Sequence, residues 1–155
     1  MRSFTLATLL AFALVAVPVA AGQVGGYEQH QTDPDITSGK EQRALSAARK
    51  TWRKQGVPSY TFGLTVSCFC PPTTDVKIVV RNGKPARTTP KDLLDQSTVP
   101  RLFKTIQGAI DRKATKLVVR YGPRGVPRSI FVDSDQRIAD EEIGYIVRKF
   151  APLKR

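Results

Sequence analysis

Apolar and polar residues alternate along several stretches of the chain, and this alternation predicts β-strands. Apolar side chains occupy every second position over residues 60–70, and a shorter alternation follows over residues 76–80. Strict alternation gives a strand one face that can be buried. Asn82-Gly83 comes next and is a strong signal for a tight hairpin turn. The returning strand is predicted over residues 84–89, and the proline within it places that strand at a sheet edge.

A helix is predicted in front of these strands. Leu45, Ala48 and Trp52 recur at helical spacing, which predicts a buried stripe. The sequence from Ser38 to Glu41 has the pattern of a capping box, in which the two side chains satisfy each other's backbone amides. Gly56, followed closely by a proline, predicts the end of the helix.

The same order of elements is predicted a second time along the chain. Ser97 or Thr98 caps a second helix, whose apolar stripe is formed by Val99, Phe103, Ile106 and Ile110. Strands are then predicted over residues 117–121, 129–133 and 142–150. The order helix, three strands, helix, three strands predicts an α+β fold, with an antiparallel sheet and both helices packed on one of its faces.

Two segments of the predicted strands resemble each other in sequence. Residues 76–86 and 116–127 each contain a Lys-aliphatic-Val-Val-Arg strand that enters a turn rich in Gly and Pro. An internal duplication is therefore one hypothesis for the origin of the two units.

The first residues have the pattern of a secretory signal. Arg2 is the only charged residue before Glu28, and an apolar run over residues 9–21 ends in small residues that suit a signal peptidase. The run is shorter than the roughly 20 apolar residues that a membrane span requires. We therefore predict a signal peptide over residues 1–21, a secreted, periplasmic or cell-envelope location, and no transmembrane segment after cleavage.

The remaining chain is predicted to divide into an arm and one domain. Residues 22–39 are rich in Gly, Gln, Asp and Thr without an apolar period, which predicts a flexible N-terminal arm. Residues 40–155 are predicted to form a single α+β domain. His30, the one histidine, falls in the arm, where a general base would lack a fixed geometry.

Cys68 and Cys70 are the only cysteines. An isolated pair in an exported protein is normally oxidised, and we predict a local disulfide between them. On a regular strand their Cα atoms would lie roughly 6.6 Å apart, near the upper limit of about 6.8 Å, so the bond requires a turn or bulge. The alternatives are a reduced buried pair, a redox-active pair, intermolecular pairing and a metal site, the last disfavoured because zinc needs four ligands.

The cysteines lie in a longer motif. The sequence Ser-Cys-Phe-Cys-Pro-Pro over residues 67–72 precedes the Asn-Gly turn, and Asp-Glu-Glu-Ile-Gly-Tyr follows at residues 140–145. Over residues 45–150 this pattern resembles a family of bacterial exported proteins known as a domain of unknown function. The resemblance implies secretion and an α+β domain, and it supplies no activity and therefore no catalytic residue.

Positive charge dominates the composition, with a formal net charge of +12. The candidates for contact with an anionic partner are a stripe on the first helix and outward positions on the strands; they are Arg43, Lys50, Lys54, Lys77, Arg81, Lys116 and Arg120. Outside the cytoplasm such a partner is an unknown protein, an anionic envelope polymer or a membrane surface. No nucleic acid is expected, because the aromatic residues fall at core positions. The alternative is that these basic residues only keep the protein soluble and contact no partner.

Acidic residues concentrate late in the chain, over residues 133–142. Asp133, Asp135 and Asp140 are candidates for a Ca²⁺ site. The site would be irregular, because the sequence lacks the Gly and the Glu that an EF-hand loop starting at Asp133 requires. The alternative is a polar loop paired with nearby Arg and Lys. No cofactor is expected, and the sequence contains no nucleophile elbow, phosphate loop or Ser/His/Asp set.

These observations together predict an exported, non-catalytic binding module of the cell envelope. One alternative is a small redox or hydrolytic enzyme that uses Cys68 and Cys70 or the acidic loop over residues 133–142. The other alternative is a purely structural envelope protein.

Overall fold

The elements follow the predicted order of a helix, three strands, a helix and three strands, with two short helices that were not predicted. The computed structural model describes residues 30–71 and 75–154, so the predicted signal peptide lies outside the described residues. The helices are α1 (Pro34–Thr37), α2 (Lys40–Gln55) and α3 (Val99–Asp111), with a 3-10 helix at Lys91–Gln96 before α3. The strands are β1 (Tyr60–Ser67), β2 (Val76–Arg81), β3 (Lys84–Pro85), β4 (Lys116–Tyr121), β5 (Pro127–Asp133) and β6 (Ile143–Pro152).

The strands form one six-stranded sheet in the order β3-β2-β1-β6-β5-β4. Every neighbouring pair is antiparallel, and β1 and β6 pair at the centre and join the two sets of strands. The packing of α2 and α3 against each other and against the buried sheet residues confirms the α+β class. β3 contains only two residues, whereas the prediction gave it six, and it ends at Pro85, which cannot donate a backbone hydrogen bond.

The start of α2 differs from the predicted capping box. Gly39 is the residue before the helix, with a left-handed φ of 73°, and no side chain caps the helix there. Ser38 ends α1, and its hydroxyl donates to the carbonyl oxygen of Asp35 at 3.3 Å. Glu41 is buried instead of reaching back to Ser38. The capping-box prediction was therefore wrong, because the preceding helical turn already uses Ser38.

The described part of the predicted arm also differs from its prediction. Asp33 caps α1 and is buried, its backbone N–H donates to Ala114, and its Oδ2 accepts the backbone N–H of Leu117 at 2.9 Å. His30 Nε2 donates to the carbonyl oxygen of Lys113 at 2.8 Å. These bonds hold residues 30–39 beside β4, whereas residues 22–29 lie outside the described residues.

The start of α3 confirms its prediction and shows how the helix is attached to the sheet. Thr98 is the capping residue, and its hydroxyl accepts the backbone N–H of Arg101 at 3.3 Å. The backbone N–H of Val99 donates to the hydroxyl of Tyr60 at 3.0 Å, in a buried position. Tyr60 lies on β1 within an aromatic cluster with Trp52 and Phe150, at ring-centroid distances of 5.3 Å to each. A strand side chain thus satisfies one of the amides that a helix start leaves free.

The two similar segments do not occupy equivalent places in the two units. Residues 76–86 cover β2 and β3, the second and third strands of the first unit, whereas residues 116–127 lead from β4 into β5, the first and second strands of the other. The sequence similarity therefore does not follow the helix-and-three-strand repeat, and the topology gives the duplication hypothesis no support.

Candidate functional site

The two faces of the sheet differ in what covers them. We call the face against α2 and α3 the inner face and the opposite one the outer face. The inner face carries the core side chains of the strands, which are Tyr60, Phe62, Leu64, Val66, Ile78, Val80, Leu117, Ile130, Val132, Tyr145 and Val147. Side chains of the intervening positions point the other way, because successive residues of a strand alternate between faces. Within the described residues, no helix packs on the outer face.

Basic side chains line the outer face of the sheet. Lys77, Arg81, Lys116 and Arg120, all predicted from alternation, are exposed there. Arg148 of β6 joins them, and sequence reasoning missed it although it alternates with the buried Tyr145 and Val147. The strand register places Lys77 and Arg148 on either side of Gly63. The outer face therefore carries cations on strands from both units of the fold.

The middle of the outer face is built from small and apolar residues. Gly63 and Gly144 lie on the two central strands, and Gly63 is buried beneath the carboxylate of Asp75. Val118 and Phe131 are direct cross-strand partners, and each is 40% exposed. The outer face thus combines a basic border with an apolar pair, which suits a partner that has both anionic and apolar parts.

Few carboxylates oppose these cations. Asp75 lies over Gly63 and forms an ion pair with the exposed Lys149 at 3.9 Å. Asp133 is the cross-strand partner of Lys116. Burial raises the pKa of the Asp133 carboxyl, and the nearby carboxylates of Glu142 and Glu141 raise it further. The five strand cations and Lys149 outnumber these four carboxylates, so positive charge is in excess on the outer face.

The predicted helical cations lie on the far side of the molecule from the outer face. Arg43, Lys50 and Lys54 are exposed on α2, opposite the stripe of Leu45 and Ala48 that packs on the core. The seven predicted cations therefore form two surfaces that a single flat partner cannot contact at once. The four on the strands share the outer face as two pairs, on β2 and β4, with three strands between them.

The cysteines of the described residues are paired with each other. Cys68 and Cys70 lie at disulfide distance, with their Cα atoms 5.1 Å apart, and neither is free. Strand β1 ends at Ser67, so the pair lies on a turn that brings the Cα atoms closer than a regular strand would. Phe69 between them is 81% exposed, and Cys68 packs against the edge of the core. The predicted disulfide is confirmed at the level of this geometry.

The acidic loop is organised around an ion pair. Asp135 pairs with Arg137, whose Nε donates at 2.7 Å, and Glu141 accepts the backbone N–H of Asp135. The hydrogen bonds from Arg137 lower the pKa of the Asp135 carboxyl. Among the described residues, no group of three or more His, Cys, Asp or Glu side chains is placed to hold a metal ion, and Asp140 does not join Asp133 and Asp135 in one. The geometry agrees with a paired polar loop.

The fold and the outer face define a class: a small α+β domain with helices on one face of an antiparallel sheet and a basic, uncovered face on the other side. The chain belongs to the Family of unknown function (DUF6174), which matches residues 44–152. Comparisons with curated proteins and with solved structures return no significant match. In the described part of the chain, no helix has the length and apolar character needed to cross a membrane.

Proposed function

We propose that this protein is an exported, non-catalytic binding module whose outer face contacts an anionic partner of the cell envelope. The observation that supports the proposal is the position of Lys77 and Arg81 on β2 and of Lys116 and Arg120 on β4, all exposed on the uncovered side of the sheet, with Arg148 of β6 between the two pairs. Exposed cations on one surface attract an anionic surface over a distance of about 10 Å at ordinary salt concentrations. Phosphate-bearing headgroups supply such a surface outside the cytoplasm.

The test compares two variants with the same change in charge. In the first, Lys77, Lys116 and Arg120 of the outer face are replaced by Glu; in the second, Arg43, Lys50 and Lys54 of α2 are replaced by Glu. Both are mixed with vesicles that contain phosphatidylglycerol, and the bound fraction is measured by sedimentation at low and high salt. We expect the outer-face variant to lose at least roughly tenfold in affinity, and the α2 variant to bind much as the wild type does.

Two outcomes contradict this proposal. Equal losses in the two variants mean that net charge alone attracts the protein, with no role for the outer face. Binding that does not weaken as salt rises excludes an electrostatic partner. Vesicles of phosphatidylcholine serve as the uncharged control, and thermal unfolding of both variants verifies that they remain folded.

Export is the second part of the proposal. It is supported by the charge and hydropathy pattern of residues 1–21, which ends in small residues before Gly22. The N-terminal sequence of the protein recovered from medium or envelope is expected to begin at Gly22. Recovery of the full-length chain from the cytoplasm, with Met1 attached, contradicts export.

Thiol–disulfide exchange at Cys68 and Cys70 is a second candidate function. It is favoured by the exposure of Cys70 and by a groove of about 580 Å³ beside the pair, lined in part by Asp92 and Tyr145. In such an exchange the disulfide takes two electrons and two protons from a dithiol partner, which becomes a disulfide. Equilibration in glutathione buffers followed by alkylation and intact-mass measurement tests it. A bridge that stays closed in excess reduced glutathione contradicts an exchange role.

A further inference from the structure

A groove on the inner side of the sheet edge differs chemically from the outer face. It has a volume of about 390 Å³ and lies between the start of α2 and strand β4, which is the last strand of the sheet. Asp33, Asp35 and Glu41 contribute carboxylates to its lining, and Tyr121 contributes a phenol. Lys40, Lys116 and Arg120 also line it, so carboxylates and cations meet in this groove.

Two polar groups in this groove are buried without a partner. Glu41 is 8% exposed, and its Oε2 accepts no hydrogen bond within the described residues. The hydroxyl of Tyr121 is also buried and unpaired there. An unsatisfied buried carboxylate oxygen is costly, and native proteins usually give such a group a partner. Burial raises the pKa of the Glu41 carboxyl, and Asp35 and Asp33 raise it further, so a cation beside Glu41 would be stabilising.

Two of the nearby cations already have other partners, whereas Lys116 and Arg120 extend from β4 toward the outer face. Lys40 donates to Asp35 at 2.7 Å. Arg49 donates to the side chain of Gln107 at 2.9 Å and to the carbonyl oxygen of Phe103 at 3.2 Å. Glu41 is therefore the carboxylate of the groove that an incoming cation would satisfy.

The backbone of β4 has one occupied and one unpaired position along the same groove. The N–H of Leu117 donates to Asp33 and not to β5, so Leu117 and Val132 are a non-hydrogen-bonded pair. Bonded and non-bonded pairs alternate in an antiparallel ladder, so the N–H and C=O of Val119 also point away from β5. Among the described residues no strand pairs with β4 on this side. An edge of this kind can accept a further strand.

We propose that the edge of β4 binds an extended peptide that pairs with its backbone at Val119 and places a Lys or Arg side chain against Glu41. The side chains that the added strand directs to the opposite side would lie beside Lys116 and Arg120, which are exposed on β4. The preferred peptide therefore alternates, with a basic residue toward the groove and acidic residues toward the outer face. This site shares Lys116 and Arg120 with the proposed contact surface, but its contacts with Val119 and Glu41 do not depend on that proposal.

The probe is the acetylated and amidated peptide Thr-Glu-Lys-Glu-Val-Thr, titrated into the full mature chain by calorimetry. Its partner probe has norleucine in place of the lysine, which keeps the length and removes the charge. We expect the lysine peptide to bind roughly tenfold more tightly than the norleucine peptide. Glu41→Gln is expected to abolish this difference, and Glu142→Gln, which removes an exposed carboxylate elsewhere, is expected to preserve it.

Backbone pairing is tested separately with two N-methylated forms of the lysine peptide. Each form carries methyl groups on one of the two alternating sets of amides, and only one set can face β4. We expect one form to lose binding and the other to keep it. The proposal is overturned if both forms bind equally, if the norleucine peptide binds as well as the lysine peptide, or if the lysine peptide does not bind at about 1 mM. The peptide comparisons need only the wild-type chain, so they hold even where Glu41→Gln fails to fold.

Discussion

The inner and outer faces of the sheet are built from the same strands, yet they differ in how deeply their side chains are buried. Phe62 and Phe131 illustrate the contrast, since Phe62 is 1% exposed beneath the helices and Phe131 is 40% exposed on the other side. The inner face supplies the apolar burial that holds the domain together. The outer face contributes less apolar burial, since no helix in the described part of the chain covers it. Variants on the two faces should therefore change different properties of the protein.

The largest difference is expected between Phe62→Ala and Phe131→Ala. Loss of the buried ring at Phe62 leaves a cavity, and we expect the free energy of unfolding to fall by about 3–5 kcal/mol. Loss of the exposed ring at Phe131 removes mainly its cross-strand contact with Val118, and we expect a fall of about 1 kcal/mol or less. Urea unfolding of both variants measures the two values. Similar losses would mean that something covers the outer face.

A smaller effect on the inner face is expected from Tyr60→Phe. The substitution keeps the ring and its aromatic contacts and removes only the hydroxyl that accepts the N–H of Val99. A buried amide without a partner costs about 1–3 kcal/mol, and we expect the free energy of unfolding to fall by that amount. Faster hydrogen exchange at the Val99 amide would locate the effect at the start of α3. Unchanged stability would mean that water or another group replaces the hydroxyl.

The division into two faces could be predicted from the sequence, because successive side chains of a strand point to opposite faces of the sheet. The alternation over residues 60–66 and 76–80 assigns each side chain to one face without knowledge of the neighbouring strands. The same argument correctly placed Lys77 and Arg120 on the uncovered side. Arg148 was not predicted, because only the bounds of the last strand were predicted and its residues were not assigned to the two faces.

Contacts between distant parts of the chain could not be predicted. Nothing local in the sequence indicates that β1 pairs with β6, since pairing of distant segments depends on the whole topology. For the same reason Asp33 was read as part of an arm, although it bonds to Leu117 at a separation of 84 residues. Glu41 was assigned to a local cap, and its burial against β4 only becomes visible once that strand is in place. The groove beside Glu41 was missed because it forms only where α2 and β4, which are distant in the chain, come together.

Alkaline pH is expected to lower the free energy of unfolding through the buried tyrosines of the inner face. Burial raises the pKa of Tyr60 to about 12, partly offset by the hydrogen bond from Val99. Burial also raises the pKa of Tyr145. The unfolded chain releases these protons near pH 10 and the folded chain retains them to higher pH, so stability is complete below pH 10 and falls as pH rises. Each such tyrosine contributes a slope of at most about 1.4 kcal/mol per pH unit.

Urea unfolding between pH 9 and pH 12 measures this slope. Tyr60→Phe should have a shallower slope than the wild type, because one of the groups that titrate is removed. The comparison uses slopes and not absolute stabilities, so the stability lost with the hydrogen bond does not affect the result. Identical slopes in the two proteins would contradict the assignment to Tyr60.

The smallest effect on stability is expected on the outer face. Lys77→Gln combined with Arg120→Gln removes two exposed charges, and surface substitutions of this kind usually change the free energy of unfolding by about 0.5 kcal/mol or less. The two cations lie near other cations of the same face, so their removal also relieves some repulsion. This relief offsets part of any loss in the free energy of unfolding. Thermal unfolding measures the change, and binding to anionic vesicles is measured on the same sample. A clear loss of stability would mean that these cations stabilise the fold. Weaker vesicle binding at unchanged stability would mean that they contact the anionic surface.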